Sequence, residues 1–133
     1  MALHVDLVSP ERLLYSGEAD MVIARTVGGG DIAFLAGHSP FIGALDIATV
    51  TIRTERGQDE IAAVHGGFVD VSDDRVTILS DVAEMADQID VDRARRARDD
   101  AERRAAQGDD VEAEAEVRRA HVRLLAAGGP PAA

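Results

Sequence analysis

A chain of 133 residues with 46% apolar but only 3% aromatic side chains can hold one modest core, built from Val, Ile, Leu and Ala. It contains no cysteine, so neither a disulfide framework nor a thiolate metal site is available. A formal net charge of −11 disfavours nucleic acid and anionic lipid as direct partners, and no apolar run approaches the roughly 20 residues that span a bilayer. The expectation is a soluble cytoplasmic protein, or one attached to a membrane only through a partner.

Leu3–Val8 alternates apolar and polar residues with a period of two, the mark of a half-buried strand. Ser9-Pro10 stops it, and Arg12 to Gly17 reads as the returning strand of a hairpin. Ala19 to Val27 is a further strand rich in β-branched residues. Three glycines, Gly28 to Gly30, then make a turn that opens the short apolar strand Asp31 to Leu35. Gly37-His38-Ser39-Pro40 breaks the chain again, leaving Asp31 and His38 at the strand's two ends. Strands follow over Phe41–Leu45, Ala48–Thr54, Glu60–His65, Phe68–Val71 and Arg75–Leu79, divided by Gly- and Asp-rich turns. Short strands at this spacing predict an all-β sandwich or barrel. Phe34 and Phe68, each in an apolar strand, are expected in its core.

The period changes after Asp87. Val91 to Gln107 lacks Gly, Pro and Thr and is dominated by Ala and Arg, both strong helix formers. Asp90 is placed to cap its N-terminus and Gly108 to end it. Asp109, with Glu112 three residues on, has the form of a capping box opening a second helix to about Ala127. The short connection makes the two helices antiparallel. Their facing stripes are thin: Ala94, Ala97, Ala101 and Ala105 against Ala113, Val117, Ala120 and Leu124. An alanine seam contributes little apolar area, so the hairpin is a candidate detachable element. The domains expected are a sandwich over residues 1–87, a helical hairpin over 88–127 and a tail over 128–133. Charge divides the same way: residues 1–89 hold 15 acids and 5 bases, residues 90–133 hold 10 and 9.

No catalytic constellation stands out. The triple glycine lacks the Lys-Ser/Thr of a phosphate loop and opens a strand instead of a helix. His38, Ser39 and Asp31 have no nucleophile elbow, and the four histidines have no metal-ligand spacing. Enzyme, metal and cofactor requirements are therefore not expected. From the residues alone, a free-standing cytoplasmic ligand-binding β-sandwich is a reading to set beside any other.

A set of ordered motifs points further. Gly28 to Pro40, GGGDIAFLAGHSP, resembles the G-E-x-G-x-x-P-G-H-x-P signature of epsilon subunits of bacterial F-type, proton-transporting ATP synthases. Asp31 stands for the glutamate there, Ala33 for a glycine and Ala36 for a proline. Val8-Ser9-Pro10-Glu11 to Ser16-Gly17 resembles the family's opening hairpin. Gly66-Gly67-Phe68-Val69-Asp70-Val71 and Val76-Thr77-Ile78-Leu79-Ser80-Asp81 resemble two of its strands, and Ile89-Asp90-Val91-Asp92-Arg93-Ala94 its I/L-D-x-x-R-A nucleotide motif.

The resemblance implies a non-catalytic rotor subunit of the central stalk, peripheral on the cytoplasmic face of the cell membrane. Its sandwich would contact the gamma subunit and the c-ring loops, with Asp31 and His38 as c-ring contacts. Its hairpin would inhibit ATP hydrolysis when extended toward the catalytic alpha and beta subunits. ATP is implied as an optional regulatory ligand, held by Glu84, Asp90, Arg93, Ala94, Arg119 and Arg123, with Arg118 the alternative to Arg119. One departure is chemical: Asp100 stands where the family has a further arginine.

Overall fold

The structure is a computed structural model that describes residues 2–128. Seven strands are followed by two helices: β1 (Leu3–Val8), β2 (Leu13–Thr26), β3 (Gly30–Leu35), β4 (Phe41–Thr54), β5 (Asp59–Ser72), β6 (Arg75–Leu79), β7 (Ala83–Met85), then α1 (Val91–Ala105) and α2 (Val111–Ala126). A single 3₁₀ turn, Ala86–Gln88, joins β7 to α1. The proposed tail segment from residue 129 onward lies outside the described residues.

Six of the strands expected from sequence are three. Arg12–Gly17 and Ala19–Val27 are one 14-residue strand, as are Phe41–Leu45 with Ala48–Thr54 and Glu60–His65 with Phe68–Val71. Turn-forming residues inside these runs bend the strands without ending them. In β2 the pairing with β1 ends at Ala19 and the pairing with β3 begins at Met21. In β5 Ala62–Val64 pairs with β7, whereas Phe68–Ser72 pairs with β6. Between the two halves, Gly66 and Gly67 have φ of 84° and 129°. A Cβ on Gly67 would lie 2.0 Å from the Leu79 carbonyl oxygen, so only glycine fits this corner. β4 bends with β5 across the interruption at Asp46, Leu45 pairing with Gly67 and Ile47 with His65.

Each long strand therefore serves both layers. One layer holds β1, β6 and the adjoining halves of β2, β4 and β5; the other holds β3, β7 and the remaining halves. Hydrogen bonding runs β1-β6-β5-β4-β2-β3, and β1 also pairs with β2, so the ladder closes on itself. Between the layers lies a core of Leu3, Val5, Leu7, Val22, Ile52, Val64, Val76 and Ile78, with Phe34 wholly buried among them. Alternation explains the membership, since Val64, Val69 and Val71 of β5 face inward.

Phe68 is not in that core. It is 57% exposed on the outer face, because β5 turns inward at Val69 and Val71 and the residue before them must point out. Replacing Phe34 by Ala is expected to cost about 3–5 kcal/mol in urea denaturation, and Phe68→Ala less than about 1 kcal/mol.

Candidate functional site

The helical hairpin lies against one outer face of the sandwich through α2. Val122 and Ala126 of α2 pack on Ala63, with Ile47, Ile61 and Ile89 around them. Each helix is capped by an aspartate: Asp90 accepts from the Arg93 N–H at 3.1 Å and Asp110 from the Ala113 N–H at 2.9 Å. The second cap is Asp110 and not Asp109, one residue later than the capping-box spacing predicts. The α1 stripe also differs from expectation. Ala94 and Ala101 are buried, but Ala97 is exposed and the half-buried Arg98 takes its place in the seam. Arg104 reinforces the seam by pairing with Glu116 of α2.

A cleft of about 350 Å³ opens where α1, α2 and the end of the sandwich meet, lined by Glu84, Asp90, Arg93, Ala94, Ala97 and Arg123, with Gln88 and Ile89. Five of the six residues named for nucleotide from sequence thus share one cleft. Arg119 does not line it. Its guanidinium donates to Glu112 at 2.6 Å, while Arg118 lines a second cleft of about 600 Å³ on the other flank of α2. Of the second-helix arginines, Arg123 alone lines the first cleft.

Glu84 is the centre of the first cleft. Arg123 Nε donates to both of its carboxylate oxygens at 3.0 Å. Nε2 of His65 lies 3.5 Å from the same carboxylate. Burial acts to raise the Glu84 carboxyl, but the His65 ring and the Arg123 guanidinium outweigh it and hold the group below its ordinary value. Among the described residues Arg123–Glu84 is the only ion pair that ties the hairpin to the sandwich. Among the described residues Arg93, exposed at the mouth, has no ion-pair partner, so the cleft presents an uncommitted cation beside an engaged one.

Asp31 and His38 sit apart. Asp31 is the second residue of β3, whereas His38 lies in the turn past its other end, where its backbone N–H bonds the Leu35 carbonyl. Asp31 pairs with Arg25, at 3.0 and 3.3 Å, beside the turn that exposes Val27. The His38 ring packs on Phe34 and Phe41, its Nδ1 donating to the Ser39 carbonyl at 2.6 Å. A triad of Asp31, His38 and Ser39 is therefore ruled out by geometry. Sequence reasoning passed over a different trio: Ser16 Oγ is 3.3 Å from His4 Nε2, and His4 Nδ1 is 3.3 Å from Glu18. That serine instead donates to Asp6 at 2.6 Å, on a flat sheet face whose backbone groups are in the β1–β2 and β1–β6 ladders. Nothing there can bind an oxyanion.

The family model for the ATP synthase delta/epsilon chain β-sandwich domain matches residues 2–86. The chain belongs to this family. Curated relatives described as ATP synthase epsilon chain agree along nearly the whole length. The protein of Streptomyces griseus is 49% identical over 93% of this chain and 94% of its own. That of Thermobifida fusca is 48% identical over 98% and 96%. A cryo-EM structure of Euglena gracilis mitochondrial ATP synthase, OSCP/F1/c-ring, contains a chain of the same fold. It has a TM-score of 0.70 and 23% identity over 92% of this chain and 75% of that one. As an epsilon-type chain it is a non-catalytic subunit of ATP synthase. No group of metal ligands occurs among the described residues, and no helix is long and apolar enough to cross a membrane.

Glu84→Gln or Arg123→Ala should release the hairpin. In hydrogen exchange, α2 amides would lose protection while β1, β5 and β6 keep theirs. Because the Glu84 carboxyl is held low, its contribution to docking is complete above the ordinary carboxylate range and disappears as pH falls through the depressed value.

Proposed function

We propose that the chain is a central-stalk rotor subunit of a bacterial F-type ATP synthase, held at the cytoplasmic face of the cell membrane by its partners. In this reading residues 1–87 couple the c-ring to the gamma subunit, and the hairpin of residues 88–127 regulates ATP hydrolysis. The observation that carries it is the seating of the hairpin. One ion pair and a small apolar patch hold α2, and clefts flank it on both sides. An element seated so lightly can leave the sandwich and extend toward the alpha and beta subunits.

The sandwich offers two surfaces for the stalk. Beside the triple-glycine turn, Asp31 stands half exposed next to Val27, a protruding acid suited to a basic ring loop. His38 belongs to the other end of β3 and is not assigned to that contact. The outer face of the β1–β6 layer carries an apolar row, Leu13, Val8, Leu79 and Phe68, running across four paired strands with Asp6 and Asp70 one step away. An exposed row of this kind suits burial against gamma. Co-expression decides the matter: gamma should co-purify stoichiometrically with the wild type and be lost from the double variant Phe68→Ser, Leu79→Ser. A fully folded wild-type chain that ignores gamma would leave a free-standing module.

ATP is the proposed regulatory ligand of the Glu84 cleft. Arg93 would take phosphate, and Arg123 would be shared between phosphate and Glu84. Asp100 is not at the cleft. It pairs with Arg103 and Arg104 at 3.5 and 3.6 Å, so its charge is partly met. Millimolar ATP should raise the melting temperature of the hairpin in the wild type and not in Arg93→Ala. No shift in the wild type would reduce Asp90–Ala94 to a helix start.

A further inference from the structure

The larger of the two clefts beside α2 shares no residue with the nucleotide cleft. Its volume of about 600 Å³ lies within the range of small-molecule sites, about 300–1,000 Å³, and it sits where such sites concentrate, between two packed units. One wall is α2, which presents Val117, Arg118, His121, Val122 and Leu125. At 1.5 Å per residue this wall runs about 12 Å along the helix. The facing wall is the outer surface of β2 and β4, where Ile23 and Ile47 are only half buried. α2 seats on Ala63 and leaves this part of the sheet open, so aliphatic side chains face a gap from both sides.

The polar groups of the cleft divide into engaged and unengaged. Asp31 is held by Arg25, and the Asp46 carboxylate accepts the Ile47 N–H at 2.8 Å. Arg25 stands between the two acids: it faces Asp31 across the ladder, and its neighbour Thr26 pairs with Leu45, next to Asp46. On the other wall Arg118 and His121 lie one turn apart on α2. Among the described residues neither side chain has a hydrogen-bond or ion-pair partner. The acids of the sandwich wall are therefore met, and the donors of the helix wall are not. With Arg25 and Arg118 against Asp31 and Asp46, the cleft carries no formal net charge within a chain of −11. Salt screens the distant acids, so this local balance decides which head group enters.

We propose that the cleft binds a medium-chain alkyl carboxylate, its head held by Arg118 and His121 and its chain laid between Val117, Leu125, Ile23 and Ile47. A guanidinium and an imidazole N–H can share the two oxygens of one carboxylate. Burial of the chain between aliphatic walls supplies the remaining affinity. The ligand arrives as a free molecule and not as an acyl chain within an anionic bilayer, whose surface the acidic chain repels. The site does not require the hairpin to move. Its regulatory consequence does rest on that reading. The ligand touches α2 and the sandwich at once, contacts present only in the docked state, so ligand binding and docking favour each other.

Decanoate, kept below its micelle-forming concentration at neutral pH, is the probe for the full-length chain. In methyl NMR it should shift Ile23, Ile47, Val117 and Leu125 saturably and leave Val8 and Leu79 of the exposed row unmoved. Decanol and decyltrimethylammonium should bind about five- to tenfold more weakly, as should decanoate to Arg118→Glu, while Arg118→Lys keeps most of the affinity. His121→Phe, which keeps a ring and removes its donor, should lose a few-fold. Shifts confined to Val8 and Leu79 overturn the site. Equal binding of the alcohol or the cation, or unchanged binding to Arg118→Glu, overturns the carboxylate assignment. Phosphatidylglycerol vesicles that shift the same methyls overturn the free ligand in favour of a membrane. The linkage is read separately. The chain lacks cysteine, so cysteines introduced at the exposed Gln58 and Gln107 report docking by energy transfer. Saturating decanoate should restore the transfer that Arg123→Ala loses. Transfer lost and not restored overturns the linkage. Transfer that Arg123→Ala never loses overturns the movable hairpin and leaves the site standing.

Discussion

A single carboxylate joins the two halves of this molecule. Glu84 sits on the last and shortest strand, where the sandwich is about to give way to helix, and receives a guanidinium from the far end of the chain. All other ion pairs among the described residues are internal to the sandwich or to the hairpin. The position of α2 and the shape of the clefts beside it rest on that contact together with the patch of Val122 and Ala126 on Ala63. Partial burial sets a desolvation cost against its Coulombic gain, so one such contact does not make a permanent joint. The interface is set near balance by construction.

The hairpin is consistent with that balance. Its seam is built from Ala94, Ala101, Ala113 and Ala120, with Leu124 the largest buried side chain in it. Small side chains let the helices approach closely without committing much apolar area. Arg104–Glu116 and the i,i+4 pair Arg98–Glu102 supply what the seam lacks in packing. Such a unit can keep its own form while it changes its seat.

Much of this was legible in the sequence, and the exceptions have physical causes. Alternation of apolar residues gave the strands, and the Ala- and Arg-rich run after Asp90 gave the helices. Strand continuity was not legible, because Gly17, Asp46 and Gly66-Gly67 look like turns in one dimension and are bends in three. Phe68 was misplaced for the same reason: its strand is apolar on both sides, and only the register set by Val69 and Val71 shows which face is buried. The Glu84 cleft was legible through motif residues, but the orientation of α2 was not, and Arg119 turned to Glu112. The sharing of Glu84 between Arg123 and His65 joins residues 19 and 39 positions apart from it, beyond the reach of any local pattern.

Three strands that run through both layers also set how the sandwich bears force. In a sandwich of separate sheets, a load on one layer reaches the other only through side-chain contacts, which slide. Here β2, β4 and β5 pass from one layer to the other as unbroken backbone, and the β1–β2 pairing closes the circuit. A torque applied at the Asp31 end is carried by covalent bonds and ladders of hydrogen bonds into the face that bears Phe68. The domain is stiff in torsion, while the hairpin is joined to its side by one ion pair and a small apolar patch.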